Sequence, residues 1–177
     1  EEFRLCSRDC GENLRVALLA DLPDTAEETL PDAEARLAAA QAAVDGLNEK
    51  YGGGFYLFTR PRVHSAADGR WMGYERKRGA IEALALLLAG RESALVCRSG
   101  DEAALTGTRF LLCLDAETRL LPGAARELIG TMLHPLNRPV IDHRRRTVYR
   151  GFGVLAPRIA VELPAACGSV FARVQAG

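Results

Sequence analysis

Three places in this chain of 177 residues put side chains capable of chemistry at spacings that let them act together. Asp115 and Glu117 follow the apolar run of residues 110–114 and stand two positions apart. On extended backbone such neighbours point the same way. Two carboxylates side by side are hard oxygen donors suited to Mg²⁺ or Mn²⁺, with coordination positions left over for a diphosphate. A cation there offsets the charge that builds on a departing nucleoside diphosphate. The plainer reading of the same two residues is a solvated or helix-capping pair.

The second place is Glu75-Arg76-Lys77-Arg78-Gly79, three cations followed by a glycine at the start of a helical pattern. Cations and closely approaching backbone can meet phosphate oxygens. A solvated charge run explains them too, although cations at a helix start oppose its dipole. The third is Asp21 with Asp24, which can accept hydrogen bonds from a nucleobase or ribose, or can simply form the turn around Pro23.

These side chains need elements to hold them. Residues 15–20 read as a buried strand that ends at Asp21. Leu37, Ala40, Val44, Leu47 and Tyr51 recur at helical spacing between Asp32, a plausible N-cap, and Gly52, a plausible stop. Residues 55–59 are aromatic and β-favouring and end at Arg60-Pro61-Arg62, so they read as the next strand. A polar stretch with Asp68-Gly69 leads to the hydrophobic loop Trp71-Met72-Gly73-Tyr74, in which Trp71 stacks on a ring or plugs the loop. Ile81, Leu84, Leu87 and Leu88 share a helical face over residues 80–89, closed by Gly90. Residues 110–114 read as a third strand, and Pro122 opens a helix with Ala125, Leu128, Ile129 and Met132 inward. Residues 140–142 and 147–149 flank His143-Arg144-Arg145-Arg146 as a hairpin with a solvated tip, and residues 159–163 read as a last strand. His134 before Pro135 reads as a local loop contact. The alternation predicts an α/β domain with a mostly parallel sheet flanked by helices and a small hairpin after the D-x-E strand. In such sheets ligands settle beyond the carboxyl ends of the strands.

Composition narrows the partners. Lys+Arg and Asp+Glu balance at 23 each, so no global field draws in nucleic acid or an anionic membrane surface. Lysine occurs only at Lys50 and Lys77. The longest apolar stretch falls far short of the roughly 20 residues that span a bilayer. Cys6, Cys10, Cys97, Cys113 and Cys167 form no C-x-x-C pair and the histidines are scattered, which argues against a structural zinc site; the odd count, with Cys97 and Cys113 in apolar stretches, argues for reduced thiols in a cytoplasmic compartment. Dinucleotide, P-loop and G-x-S-x-G motifs are absent. The chain starts at Glu1 without methionine and stops at Gly177 without a closing element, so it reads as a segment of something longer.

Several strings are more specific than spacing. Asn13 to Asp21, Leu47-Asn48-Glu49-Lys50-Tyr51-Gly52, Trp71-Met72-Gly73-Tyr74-Glu75-Arg76-Lys77-Arg78-Gly79, Leu114-Asp115-Ala116-Glu117-Thr118, His134-Pro135-Leu136-Asn137-Arg138-Pro139 and Gly151-Phe152-Gly153-Val154-Leu155 are collinear with, and resemble, the glycosyltransferase region of cyclic β-1,2-glucan synthases. The resemblance implies that residues 1–177 are the nucleotide-sugar-binding part of a truncated GT-A domain. It also implies UDP-glucose as donor, a divalent cation, a growing glucan chain as acceptor and inverting transfer. It further implies a very large parent in the bacterial inner membrane, with this domain on the cytoplasmic side beside other domains of the same polypeptide.

Carried over residue by residue, the metal motif falls on Asp115 and Glu117, the base-contacting acid on Asp21, and the phosphate-facing cations on Arg76, Lys77 and Arg78. Glu117 stands where the family usually has aspartate. The general base of an inverting transfer is expected outside this segment, so the chain alone is expected to be inactive. The alternative is a non-catalytic packing module of a large membrane-anchored synthase, in which the D-x-E has lost its metal.

Overall fold

The computed structural model describes residues 13–116, 118–158 and 167–175. Glu117 and residues 159–163, a metal ligand and a last strand in the sequence reading, lie outside the described residues.

Residues 16–19 form β1 (Val16–Leu19), and α1 (Ala33–Tyr51) carries the chain to β2 (Phe55–Thr59), which lies parallel to β1. All five residues of β2 are buried. Side chains alternate faces along a strand, and β2 uses both. Phe55 and Leu57 pack with Val44, Ala40, Leu47 and Tyr51 of α1. Tyr56 and Phe58 pack with Leu84, Leu87 and Leu88 of α2 (Arg76–Leu88) and with Leu105. This two-sided burial is why Phe55 to Thr59 reads as one continuous apolar run rather than an alternation. Burying Leu57 and Phe58 completely contributes about 1.5–3 kcal/mol each.

Asp32 precedes α1 as the sequence indicates, but its side chain makes no capping hydrogen bond; the other end follows the sequence more fully. Gly52 closes it at φ 72°, where a side chain would be strained. Asn48 then spans the turn, its amide donating to the Phe55 carbonyl at 3.0 Å and its carbonyl accepting from the Phe55 N–H at 2.9 Å. The Leu47-Asn48-Glu49-Lys50-Tyr51-Gly52 string thus sets where β2 starts. Helix α2 begins one turn earlier than its apolar periodicity indicates, taking in the cations themselves.

The sheet corrects the sequence reading in two ways. Its third strand is β5 (Val96–Ser99), which runs antiparallel to β2, so the order β1-β2-β5 is a small mixed sheet rather than a mostly parallel one. Residues 110–114 carry no strand assignment, and Leu111, Leu112 and Cys113 are exposed. A strand requires a hydrogen-bonding neighbour as well as apolar side chains. No described strand pairs with these residues. The stretch before Trp71 also proves to be structured, forming the hairpin β3 (Val63–Ser65) and β4 (Arg70–Met72).

The chain divides into two compact units, one ending at Arg126 and the other beginning at Glu127, the boundary falling inside α3 (Ala124–Leu133). In the second unit the hairpin β6 (Val140–Asp142) and β7 (Thr147–Arg150) forms where expected. The Asp142 carboxylate accepts from the N–H groups of Arg144 and Arg145 at 2.9 and 3.1 Å, which fixes the solvated arginine tip. His134 Nδ1 accepts from the Leu136 N–H, as a local loop contact does. Gly151 lies so close to the carbonyls of Asn137 and Arg138 that a Cβ would collide with them, and Asn137 also accepts from the Phe152 N–H. The last described element of this unit is α4 (Val170–Gln175).

Candidate functional site

The parallel register pairs Leu19 with Phe58, and the Ala20 N–H donates to the Phe58 carbonyl at 2.9 Å. Two residues beyond the Leu19–Phe58 pair on each chain segment, Asp21 therefore stands beside Arg60. The Arg60 side chain is 4% exposed and the Asp21 side chain 28%. Arg60 Nε donates to Asp21 Oδ1 at 2.8 Å and Nη2 to Oδ2 at 2.5 Å. The same guanidinium donates to the Tyr74 carbonyl at 2.6 Å and to the Arg76 carbonyl. Planar, fixed donors suit arginine to such a junction.

Around this guanidinium the chain folds tightly. A Cβ on Gly73 would stand 2.7 Å from both Arg60 Nη2 and Asp21 Oδ2. On Gly79 it would collide with the Tyr74 carbonyl oxygen. Between these glycines Glu75 and Arg76 adopt left-handed φ values of 52° and 49°, a conformation that costs a non-glycine residue about 1 kcal/mol or more. The Trp71-to-Gly79 string therefore leaves β4, turns around Arg60 and enters α2, with its two glycines where backbone approaches most closely.

A second arginine secures the neighbouring loop. Arg62 donates to the Trp71 carbonyl at 2.7 Å, to Thr25 Oγ1 at 2.5 Å and to the Glu28 carbonyl at 2.8 Å. Trp71 bridges Thr25 through backbone hydrogen bonds, and its ring meets His64 edge-on at 5.6 Å.

The predicted site residues gather at the start of α2. Arg76 Nε donates to Asp24 Oδ2 at 2.8 Å. Lys77 Nζ is ion-paired with Asp115 Oδ1, both side chains being more than half exposed. The structure thus pairs Asp24 with Arg76 and Asp115 with Lys77 on successive residues of α2, while Asp21 is held by Arg60. Arg78 turns back to its own helix, contacting Glu75 at 2.9 Å and Glu82 at 4.0 Å. An open cavity of about 530 Å³ lies between the β3–β4 hairpin and Tyr74, Glu75 and Arg76, a size in the range of small-molecule sites.

Among the described residues no group of three or more His, Cys, Asp or Glu gathers as a metal cage, and no helix is long and apolar enough to cross a membrane. Cys97 lies half-buried on β5. Burial pushes its thiol up, and the charges of Glu102 and Asp101 add to this.

Arg60 and Arg62 escaped the sequence reading, which treated Arg60-Pro61-Arg62 only as a strand terminator. The signal was there: two arginines at the end of the most apolar strand, with an acid at the tip of its parallel neighbour. Buried arginine is rare without a partner.

No protein-family profile matches the chain. Over 152 residues it is 36% identical to the cyclic beta-(1,2)-glucan synthase NdvB of Rhizobium meliloti (strain 1021), an alignment covering 83% of this chain and 5% of that protein. The chain therefore spans a small part of its relative's length. With the collinear strings noted above, this shows that the chain is related to a region of the cyclic β-(1,2)-glucan synthases.

Proposed function

We propose that this chain forms the nucleotide-sugar-binding part of an inverting glucosyltransferase that uses UDP-glucose and a divalent cation to build cyclic β-1,2-glucan. The observation that carries the reading is the meeting of Lys77 with Asp115. It puts a phosphate-seeking ammonium and a cation-seeking carboxylate at one point.

The donor chemistry fits a hard cation. The Asp115 carboxylate is exposed, and its partner is a single flexible ammonium. An exposed pair of this kind contributes about 1 kcal/mol or less, so a cation and a diphosphate can replace it at little cost. In this reading Asp115 and Glu117 hold Mg²⁺ or Mn²⁺, and the ion, when bound, offsets charge on the leaving diphosphate. Lys77 and Arg76 swing from their acids to phosphate oxygens, and Asp24, released by Arg76, accepts from the nucleoside. Of these residues Arg76 also lines the cavity beside the β3–β4 hairpin. The acceptor is the growing glucan, and the parent polypeptide resides in the inner membrane with this part on the cytoplasmic side.

A second reading is a packing module without catalysis. Its support is that Asp21, Asp24, Asp115, Arg76 and Lys77 all have partners within the protein. Calorimetry separates the two. The nucleotide reading expects UDP to bind in the presence of Mn²⁺ and expects Asp115→Asn to weaken that binding about tenfold or more. Absent or metal-independent UDP binding favours the packing module.

A further inference from the structure

Every donor direction of Arg60 but one leads to the turn before α2 or to the acid that anchors it. Nε and Nη2 grip Asp21, while Nη1 and Nη2 hold the carbonyls of Tyr74 and Arg76. Those two carbonyls bracket Glu75, and Glu75 and Arg76 hold the two consecutive left-handed conformations. Such a pair persists only where the surroundings over-determine it. Here they do: Gly73 and Gly79 admit the guanidinium and the Tyr74 carbonyl at distances that leave no room for a Cβ.

The turn in its turn decides where the next residues point. Arg76 leaves it toward Asp24, and Lys77 leaves it toward Asp115. A turn relaxed to ordinary right-handed φ would rotate both side chains away from these acids, because a change of about 100° at two successive φ angles redirects everything that follows.

We propose that Arg60 is a positioning residue: its buried guanidinium, anchored on Asp21, holds the left-handed turn at Glu75 and Arg76 and thereby aims Lys77 at Asp115. Asp21, with both oxygens engaged by Arg60, is the anchor of this device rather than a contact to the nucleobase. The placement of Lys77 is independent of any ligand; its consequence for phosphate binding rests on the function proposed above.

The test reads Lys77 directly. A water-soluble carbodiimide activates a carboxylate and leaves an amide only where an amine already touches it, and Lys77 is one of two lysines in the chain. Mass spectrometry of the digested wild-type chain is expected to find the Lys77–Asp115 amide. Arg60→Lys keeps the charge but offers no planar fork to three acceptors, and it is expected to lower the yield about fivefold or more. Arg62→Lys, at the neighbouring arginine, is expected to leave the yield within about twofold of wild type. Circular dichroism and the melting curve confirm that each variant is folded.

If Arg60→Lys does not fold, Asp21→Asn takes its place. That variant leaves the guanidinium but loosens its anchor, and a fall of about threefold is expected. An unchanged yield in a folded Arg60→Lys or Asp21→Asn chain overturns the proposal, as does absence of the amide from wild type, or an equal fall in Arg62→Lys. UDP with Mn²⁺ is titrated into the same proteins. If wild type binds no UDP, the nucleotide reading fails while the cross-link still decides the role of Arg60.

Discussion

Two ion pairs meet the start of α2 and differ in almost everything else. Arg60 and Asp21 are withdrawn from solvent, joined by two hydrogen bonds, and tied to backbone on either side of a left-handed turn. Lys77 and Asp115 are more than half exposed and share one contact. Both pairs draw on strand tips, a loop or the first turn of a helix, places where an α/β protein can meet a ligand, so position alone does not separate framework from candidate site. Burial does. A buried pair left with one partner strands a charge in a poor solvent, whereas exposed partners return to water when separated. The first pair is built to stay shut and the second to exchange.

Breaking the buried pair gives the largest expected effect. Arg60→Met leaves Asp21 and two carbonyls without their donor, and chemical denaturation is expected to show a loss of about 3–5 kcal/mol. A change below about 1 kcal/mol would erase the contrast drawn here. Next is Gly79→Ala, whose Cβ meets the Tyr74 backbone oxygen. Because backbone must yield, a loss of about 1–3 kcal/mol is expected in the same assay. The control is Gly46→Ala on the α1 surface, where a Cβ meets nothing. There the replacement is expected to stabilise by about 0.5–1 kcal/mol.

The exposed pair is expected to be nearly silent in stability. Lys77→Met should change unfolding free energy by about 1 kcal/mol or less while weakening UDP binding. A large stability loss without a binding loss would place Lys77 in the framework with Arg60. Smaller still in consequence is a difference between thiols. Burial and two nearby acids push the Cys97 thiol up, which lowers its thiolate fraction, whereas Cys113 is exposed to reagent. Iodoacetamide is expected to label Cys113 about tenfold faster in the folded chain, and equal rates would show Cys97 to be open.

The sequence carried some of this contrast and hid the rest, for physical reasons. Helix α1, strands β1 and β2 and the β6–β7 hairpin announce themselves through local signals: periodicity, a glycine stop at Gly52, a run buried on both faces, and two β-favouring segments around a polar tip. Pairing is not local. Residues 110–114 have the apolar character of a strand but no described neighbour, while Val96–Ser99 is short and polar in part yet lies against β2. The acids and cations of the candidate site are legible as types, and they meet as two pairs, Asp24 with Arg76 and Asp115 with Lys77. That Asp21 would be claimed by Arg60 was not, because it depends on the register of two strands separated by a helix. Likewise the glycines of the Trp71-to-Gly79 string acquire their meaning only when the guanidinium they accommodate is in place.

The central claim is that the Lys77–Asp115 pair opens to receive a cation and a diphosphate. Nuclear magnetic resonance of the isotope-labelled chain, titrated with Mn²⁺ in the presence and absence of UDP, addresses it most directly, since a bound paramagnetic ion broadens signals within about 10–20 Å of a carboxylate site. The account predicts that the amides of residues 76–78 and 114–116 broaden first, that UDP strengthens the effect, and that Asp115→Asn abolishes it. Broadening centred elsewhere, or the same broadening in Asp115→Asn, would contradict it.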